Sequence, residues 1–266
     1  MRIPLYQIDA FVADGPFTGN PAAVCPLDAW LPEHVMQAIA AENNLSETAF
    51  FVPEDDGYRL RWFTPTVEVD LCGHATLASA YVVFRWLQPE GSTVTFHTEK
   101  AGTLTVARDG DLLALDFPSR PPTPCAVPEG LAAALGKPPA AVLAARDYLA
   151  VYDDAADVAG LTPDFAAVAA LDRFAVIATA PGTGPGTGDI DFVSRFFAPA
   201  RGVDEDPVTG SAHCTLIPYW AGRLGKDRLA ARQLSRRGGA LTCALAGDRV
   251  RIAGRALPYL EGMITI

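Results

Sequence analysis

The strongest constraint on how this chain folds is that one stretch of it occurs twice. Arg61 to Ala80, RWFTPTVEVDLCGHATLASA, runs from a strand ending in Phe63-Thr64-Pro65, through an acidic connector, to a Cys-Gly-His-Ala-Thr turn and an Ala-rich apolar run. Arg195 to Cys214, RFFAPARGVDEDPVTGSAHC, repeats the order of parts. Arg61, Phe63 and Pro65 match Arg195, Phe197 and Pro199, and Gly73-His74-Ala75 matches Gly210-Ser211-Ala212. The offset is 134 residues at the prolines and 137 at the glycines, so the second copy carries the longer connector. Matched neighbours at both ends of a domain-length shift indicate a duplication. With 266 residues, the chain has room for two domains of ordinary size. Pro121, Pro122 and Pro124 mark the boundary, giving halves of 1–118 and 119–266, with the last strand able to return to the first half.

Around the echo, the pattern reads as mixed α/β. Pro4 to Val12 alternates as a strand, and Asp14 to Pro21 is turn chemistry, where Asn20 is either a plain turn residue or faces a ligand. Pro32 to Glu42 has helical spacing and ends at the paired Asn43-Asn44. Ala49 to Val52 and Tyr58 to Phe63 are strands, and Leu77 to Leu87 is a helix. Val94 to His97 with Gly102 to Ala107 makes a hairpin, and Leu112 to Phe117 another strand. The second half alternates short helices (128–135, 163–171) with strands (141–153, 174–179) and closes on three short strands, 241–243, 249–252 and 263–266. Pro181 to Gly188, PGTGPGTG, reads as an exposed loop: no GK[ST] follows it, as a phosphate loop requires.

Composition removes several function classes. A net charge of −10, with no Lys/Arg cluster standing out except Ser235-Arg236-Arg237-Gly238, argues against nucleic acid and anionic lipid as partners. No apolar run reaches membrane-spanning length, and MRIPLYQIDAF lacks a signal-peptide core, so the expectation is a cytoplasmic protein. Five separated cysteines without a CxxC pair read as reduced thiols, and the four histidines show no zinc spacing, so no metal site is expected.

Each repeated turn opens a helix, whose first N–H groups and dipole favour an anion, and glycine lets a ligand oxygen approach the backbone. Two such helix starts facing one cleft, with His74 on one wall and Ser211 on the other, would hold a small carboxylate with little need for lysine or arginine. Asp206 lies five residues before Ser211, in an acidic run that otherwise only complements a helix start. Glu47 stands at the mouth of an apolar strand, either an edge residue in water or an acid whose proton affinity burial raises. Glu47, His74 and Asp206 in one pocket are equipment for moving a proton between carbons.

These residues carry a resemblance. Asp9-Ala10-Phe11 with Phe17-Thr18-Gly19-Asn20-Pro21, Asn44-Leu45-Ser46-Glu47-Thr48, Cys72-Gly73-His74-Ala75-Thr76, and Glu205-Asp206-Pro207-Val208-Thr209-Gly210-Ser211-Ala212 occur in the order found in the phenazine-biosynthesis isomerase (PhzF-like) family. That family is similar in fold to diaminopimelate epimerases and proline racemases. The resemblance implies two pseudo-symmetric halves, each a mixed sheet curled around a central helix, a biosynthetic enzyme, and commonly a homodimer. It implies proton-transfer isomerisation without cofactor or metal: Glu47 as general acid/base, His74 and Asp206 positioning groups and relaying protons. By the same resemblance Ser211 and the N–H groups of Gly73 and Gly210 would hold the carboxylate. Two alternatives stand beside it. A two-base racemase would use Cys72, but Thr209 stands at the matching place, and a hydroxyl is far too weak an acid to replace a thiolate. A non-catalytic small-acid binding protein would keep the clamp without needing Glu47.

Overall fold

The computed structural model describes residues 1–182 and 190–266, and most of the glycine-rich loop reading at 181–188 falls outside them. By Cα packing the chain divides into two compact units, Met1–Asp116 with Ala253–Ile266, and Phe117–Ile252.

The first unit contains β1 (Arg2–Val12), β2 (Asn20–Pro26), α1 (Glu33–Asn43), β3 (Glu47–Glu54), β4 (Gly57–Phe63), β5 (Glu68–Val69), α2 (Gly73–Val82), β6 (Thr93–His97), β7 (Thr103–Asp109) and most of β8 (Leu112–Pro118). Its strands neighbour one another in the order β1, β2, β3, β4, β6, β7, β8, with β5 on β4. The β2–β3 and β4–β6 pairs are parallel, and each follows a helical crossover between the strands. β3 is buried from Thr48 through Val52 because both faces are covered. Phe50 and Val52 pack with Met36, Ile39 and Ala40 of α1, whereas Phe51 packs edge-on against Tyr58. α2 is buried on nearly every side and contacts β1, β2, β3 and β7, so it is the unit's central helix. It begins at Gly73, four residues before the expected helix, and its continuation over Val83–Leu87 is a π turn, closed by Gln88 N–H to the Val83 carbonyl at 2.7 Å.

The second unit continues with β9 (Thr123–Pro124), α3 (Leu131–Leu135), β10 (Ala141–Ala144), β11 (Tyr148–Val151), α4 (Ala155–Ala159), α5 (Phe165–Ala169), β12 (Val176–Pro181), β13 (Phe192–Phe197), α6 (Gly210–Leu224), β14 (Arg228–Gln233), β15 (Gly239–Ala246) and the start of β16 (Arg249–Thr265). The order β15, β14, β13, β12, β11, β10, β9 forms its sheet, covered on one side by α3, α4 and α5 through Leu131, Leu135, Val158 and Val168. α6 is the central helix here, packing against β14 and β15, with Trp220 stacked 5.7 Å from Phe192.

The expectation of separate short strands at 249–252 and 263–266 is wrong. They are the ends of one 17-residue strand, β16, whose later part pairs antiparallel with β1 inside the first unit. Pro258, which argues against a continuous strand in the sequence, sits beside a register shift: Gln7 faces Leu260 and Ile8 faces Pro258, leaving Tyr259 as the extra residue of a bulge.

Candidate active site

In the first unit the β1–β2 turn, the start of β3 and the start of α2 bring Asn20, Glu47, Cys72 and His74 together. Asn20 is fully buried, and its side-chain amide donates to Nδ1 of His74 at 3.2 Å. That fixes the tautomer, because a nitrogen accepting the amide proton leaves the ring hydrogen on Nε2. Nε2 lies 3.2 Å from Oε2 of Glu47, an electrostatic contact not aligned as a hydrogen bond. Burial pushes the His74 pKa down to about 3. That leaves a neutral ring beside the acid.

Gly19 makes the turn possible. Its φ is +77°, and a β-carbon there would fall 2.4 Å from the Ala10 carbonyl oxygen. Cys72 is buried, as expected, yet its Sγ lies 3.4 Å from His74 Nδ1, inside the cluster rather than in a bland core. Thiol, imidazole and carboxylate ligand atoms fall within 4.8 Å of one another, a donor set of the kind a zinc-type ion uses. The thiol approaches Nδ1 and the carboxylate Nε2, so a single ion on one ring nitrogen would have to break one of these contacts. Asp9 is a further buried carboxylate on the same hairpin, facing Pro21 across the strands.

In the second unit Asp206, Thr209 and Ser211 surround the start of α6. The Thr209 hydroxyl donates a short bond to Asp206. Gln233, buried at the end of β14, accepts from the Thr209 N–H at 2.9 Å and donates to the Asp206 carbonyl at 2.7 Å. Arg146, in the β10–β11 turn, donates from Nη2 to the Ser211 hydroxyl at 3.2 Å. It also grips the fully buried Asp147 through Nε at 3.0 Å and Nη2 at 3.1 Å. An arginine therefore stands beside a helix start expected to have little need for one. Neither Gln233 nor Arg146 belongs to a motif, and sequence reasoning had no signal for them.

The duplication goes deeper than the turns. Arg61 holds Glu68 through Nε and Nη2, both at 2.7 Å, and Arg195 holds Glu205 at 2.7 and 2.8 Å. Glu68 and Glu205 are 137 residues apart, the spacing of the two helix-start glycines. Each guanidinium also lies over the phenylalanine two residues on, Phe63 at 5.2 Å and Phe197 at 4.9 Å. One positions the connector before α2, the other the connector before α6. At the same spacing, Thr76 donates to the Cys72 carbonyl at 2.6 Å and His213 bonds the Thr209 carbonyl at 2.8 Å.

The model of the phenazine biosynthesis-like protein family matches residues 8–262. An uncharacterized isomerase of Pseudomonas aeruginosa is 55% identical over 264 residues, 99% of each chain. The crystal structure of a PhzF-family protein from Enterococcus faecalis superposes with a TM-score of 0.95 at 47% identity over the whole of both chains. A predicted epimerase from Pseudomonas aeruginosa shares the fold at a TM-score of 0.76 and 20% identity, covering 99% of each chain. With its twice-repeated helix start on a diaminopimelate epimerase-like α/β scaffold, this chain belongs to the phenazine biosynthesis-like, or PhzF-like, family.

Proposed function

We propose that the protein is an isomerase that moves a proton between carbons of a small carboxylate-bearing substrate, using its own side chains and neither metal nor organic cofactor. The observation that carries this reading is the Glu47–His74–Asn20 arrangement: a carboxylate 3.2 Å from Nε2 of a neutral imidazole whose other nitrogen is occupied by an amide. Glu47 takes a proton from a C–H bond, and the electron pair of that bond moves into the conjugated system of the substrate. The resulting carboxylic acid returns the proton to a different carbon, so charge and atoms balance without a co-reactant. The Nε2–H of His74 is placed to stabilise negative charge on Glu47 or the substrate. In the second unit Asp206 positions polar groups while Ser211 and the Gly210 N–H serve as carboxylate ligands, and in the first unit the Gly73 N–H offers the matching donor. The isomerase name of its 55%-identical relative supports the reaction class.

The test is proton exchange at carbon in deuterated water, screened over cyclic dienoic and amino acids. Wild-type protein should incorporate deuterium and shift a double bond in at least one of them. Glu47→Gln should lose at least a hundredfold in turnover while ligand affinity changes little. Unchanged turnover in Glu47→Gln would mean a binding protein. The position of Cys72 Sγ on the imidazole favours a second reading, thiol-based racemisation. Its partner is missing: Thr209 occupies the matching place, and burial pushes the Cys214 thiol up to about 11, leaving it protonated. That reading requires Cys72→Ser to abolish activity and product to carry inverted configuration. We expect Cys72→Ser to retain turnover within tenfold.

A homodimer in the cytoplasm is part of the proposal. Phe17, Leu257, Tyr259, Leu260 and Met263 are all more than a third exposed, and Phe17 and Tyr259 contact each other at 6.2 Å. Light scattering behind size exclusion should give twice the 28.2 kDa chain mass, and a monomer at micromolar concentration would refute it.

A further inference from the structure

We propose that Arg146 is a specificity-determining residue that, with Ser211, selects a carboxylate over an uncharged group of the same shape. The inference rests on the reading of Ser211 as a ligand for the substrate's acid group and adds to it the source of charge discrimination.

Arg146 is held rigidly from three directions. Its Nε and Nη2 grip the two oxygens of Asp147, whose side chain is 1% exposed, and its guanidinium lies 4.3 Å from the centre of the Phe174 ring. The second hydrogen of Nη2 goes to Ser211 Oγ at 3.2 Å. Among the described residues this leaves Nη1 with no acceptor, on a side chain that remains 32% exposed.

The bond to Ser211 also sets the role of the hydroxyl. A hydroxyl oxygen that accepts from a guanidinium points its own hydrogen elsewhere, and Ser211 makes no other side-chain bond among the described residues. Ser211 is thereby made a donor. The hydroxyl hydrogen and the Nη1 edge together offer donors, and Arg146 already occupies one of the two hydroxyl lone pairs, so donors prevail beside the N–H groups at the start of α6. An ammonium or the NH₂ of an amide meets repulsion or an unpaired donor there, whereas a carboxylate accepts from both. Asp147 offsets the net charge without filling the Nη1 edge, so recognition depends on the planar fork and not on positive charge alone.

Titration calorimetry with benzoate and benzamide, two planar probes differing in the acid group, tests this on the full chain. Wild-type protein should bind benzoate at least tenfold tighter than benzamide. Arg146→Gln combined with Asp147→Asn, which leaves no buried charge unpaired, should weaken benzoate at least tenfold and benzamide less than twofold. Arg146→Lys, which keeps the charge and loses the fork, should recover only part of the loss. Ser211→Ala should weaken benzoate, and adding it to the Arg146/Asp147 variant should cost less than the product of the separate effects, because the residues act together. The inference is overturned if wild type does not distinguish the probes, if Arg146→Lys binds benzoate as wild type does, if the Arg146/Asp147 variant keeps wild-type selectivity, or if the Ser211 and Arg146 effects multiply fully. Isomerase chemistry is read separately, by deuterium exchange in wild type and Glu47→Gln. Probe selectivity lost in the Arg146 variants with no exchange in wild type refutes the reaction and leaves the selectivity; the converse refutes only the role of Arg146.

Discussion

At Gly19 a single hydrogen atom stands where any other residue carries carbon, and the Asn20–His74 bond depends on it. The left-handed φ and the 2.4 Å approach to the Ala10 carbonyl act together, so an added methyl must push the β1–β2 turn outward. Asn20, the next residue, moves with it, and Nδ1 of His74 loses the amide that fixes its tautomer. Gly19→Ala should therefore cost about 2–3 kcal/mol in stability and reduce turnover well beyond what the remaining folded fraction explains. Urea denaturation reads the first effect, and activity per folded molecule the second. Phe11 and Phe17 flank this turn with φ values of 58° and 66°, conformations that side-chain-bearing residues adopt at a cost. Strain gathered on both sides of one asparagine fits a turn kept for what it positions.

Among the elements, the connectors ahead of the two central helices show how the same chemistry is worth different amounts in different surroundings. Arg195 and Glu205 are 11% and 18% exposed, and Nη1 of the arginine also donates to the Leu161 carbonyl at 2.7 Å. Removing the acid leaves a largely buried guanidinium short of its counter-charge. Glu205→Gln should lose about 2–4 kcal/mol. The Lys100–Asp70 pair, 65% and 67% exposed, is the control, and Asp70→Asn should change stability by less than about 1 kcal/mol. Equal losses in the two variants would show that the Arg–Glu pair does not hold the connector. α6 has a comparable arrangement. Pro218 lies inside the helix and has no N–H to give the Cys214 carbonyl. That carbonyl accepts from Arg120 N–H at 2.8 Å instead, so a helix defect anchors the proline-rich segment at 119–124. The sequence displays Pro218 and the prolines at 121, 122 and 124; what it lacks is any sign of which carbonyl meets which N–H.

Across the whole molecule, legibility in the sequence follows the range of the interaction. The turns at Gly73 and Gly210, α1 with its Asn44 end, and the strands beside them were readable because capping, glycine and periodicity act within a few residues. β16 reads as separate short strands because only its register against β1 shows that a bulge absorbs Pro258. Arg146 was invisible because its partners are one buried neighbour and a serine 65 residues away. His213 lay in view inside the second repeat but carried no role, and its burial gives the molecule a measurable property. The ring is fully buried on α6, 5.9 Å from Phe192, and burial pushes its pKa down to about 4, against a bond to the Thr209 carbonyl that raises it. The unfolded chain protonates the same ring near its ordinary value of about 6.5, so between those limits the unfolded state binds the extra proton. Stability contributed by the neutral ring is complete above about pH 6.5 and is lost as pH falls toward 4, by up to about 3 kcal/mol. His74, lowered to about 3, has the same sign and adds to the loss. Replacing one ring isolates its share, since every carboxylate and His74 are common to both proteins. His213→Gln should be less stable than wild type at pH 7, and the difference should shrink steadily between pH 6.5 and 4.5 as wild type alone loses the His213 contribution. Denaturation midpoints at five pH values across that window measure it, and two parallel stability curves would show that His213 is not the neutral buried group its surroundings require.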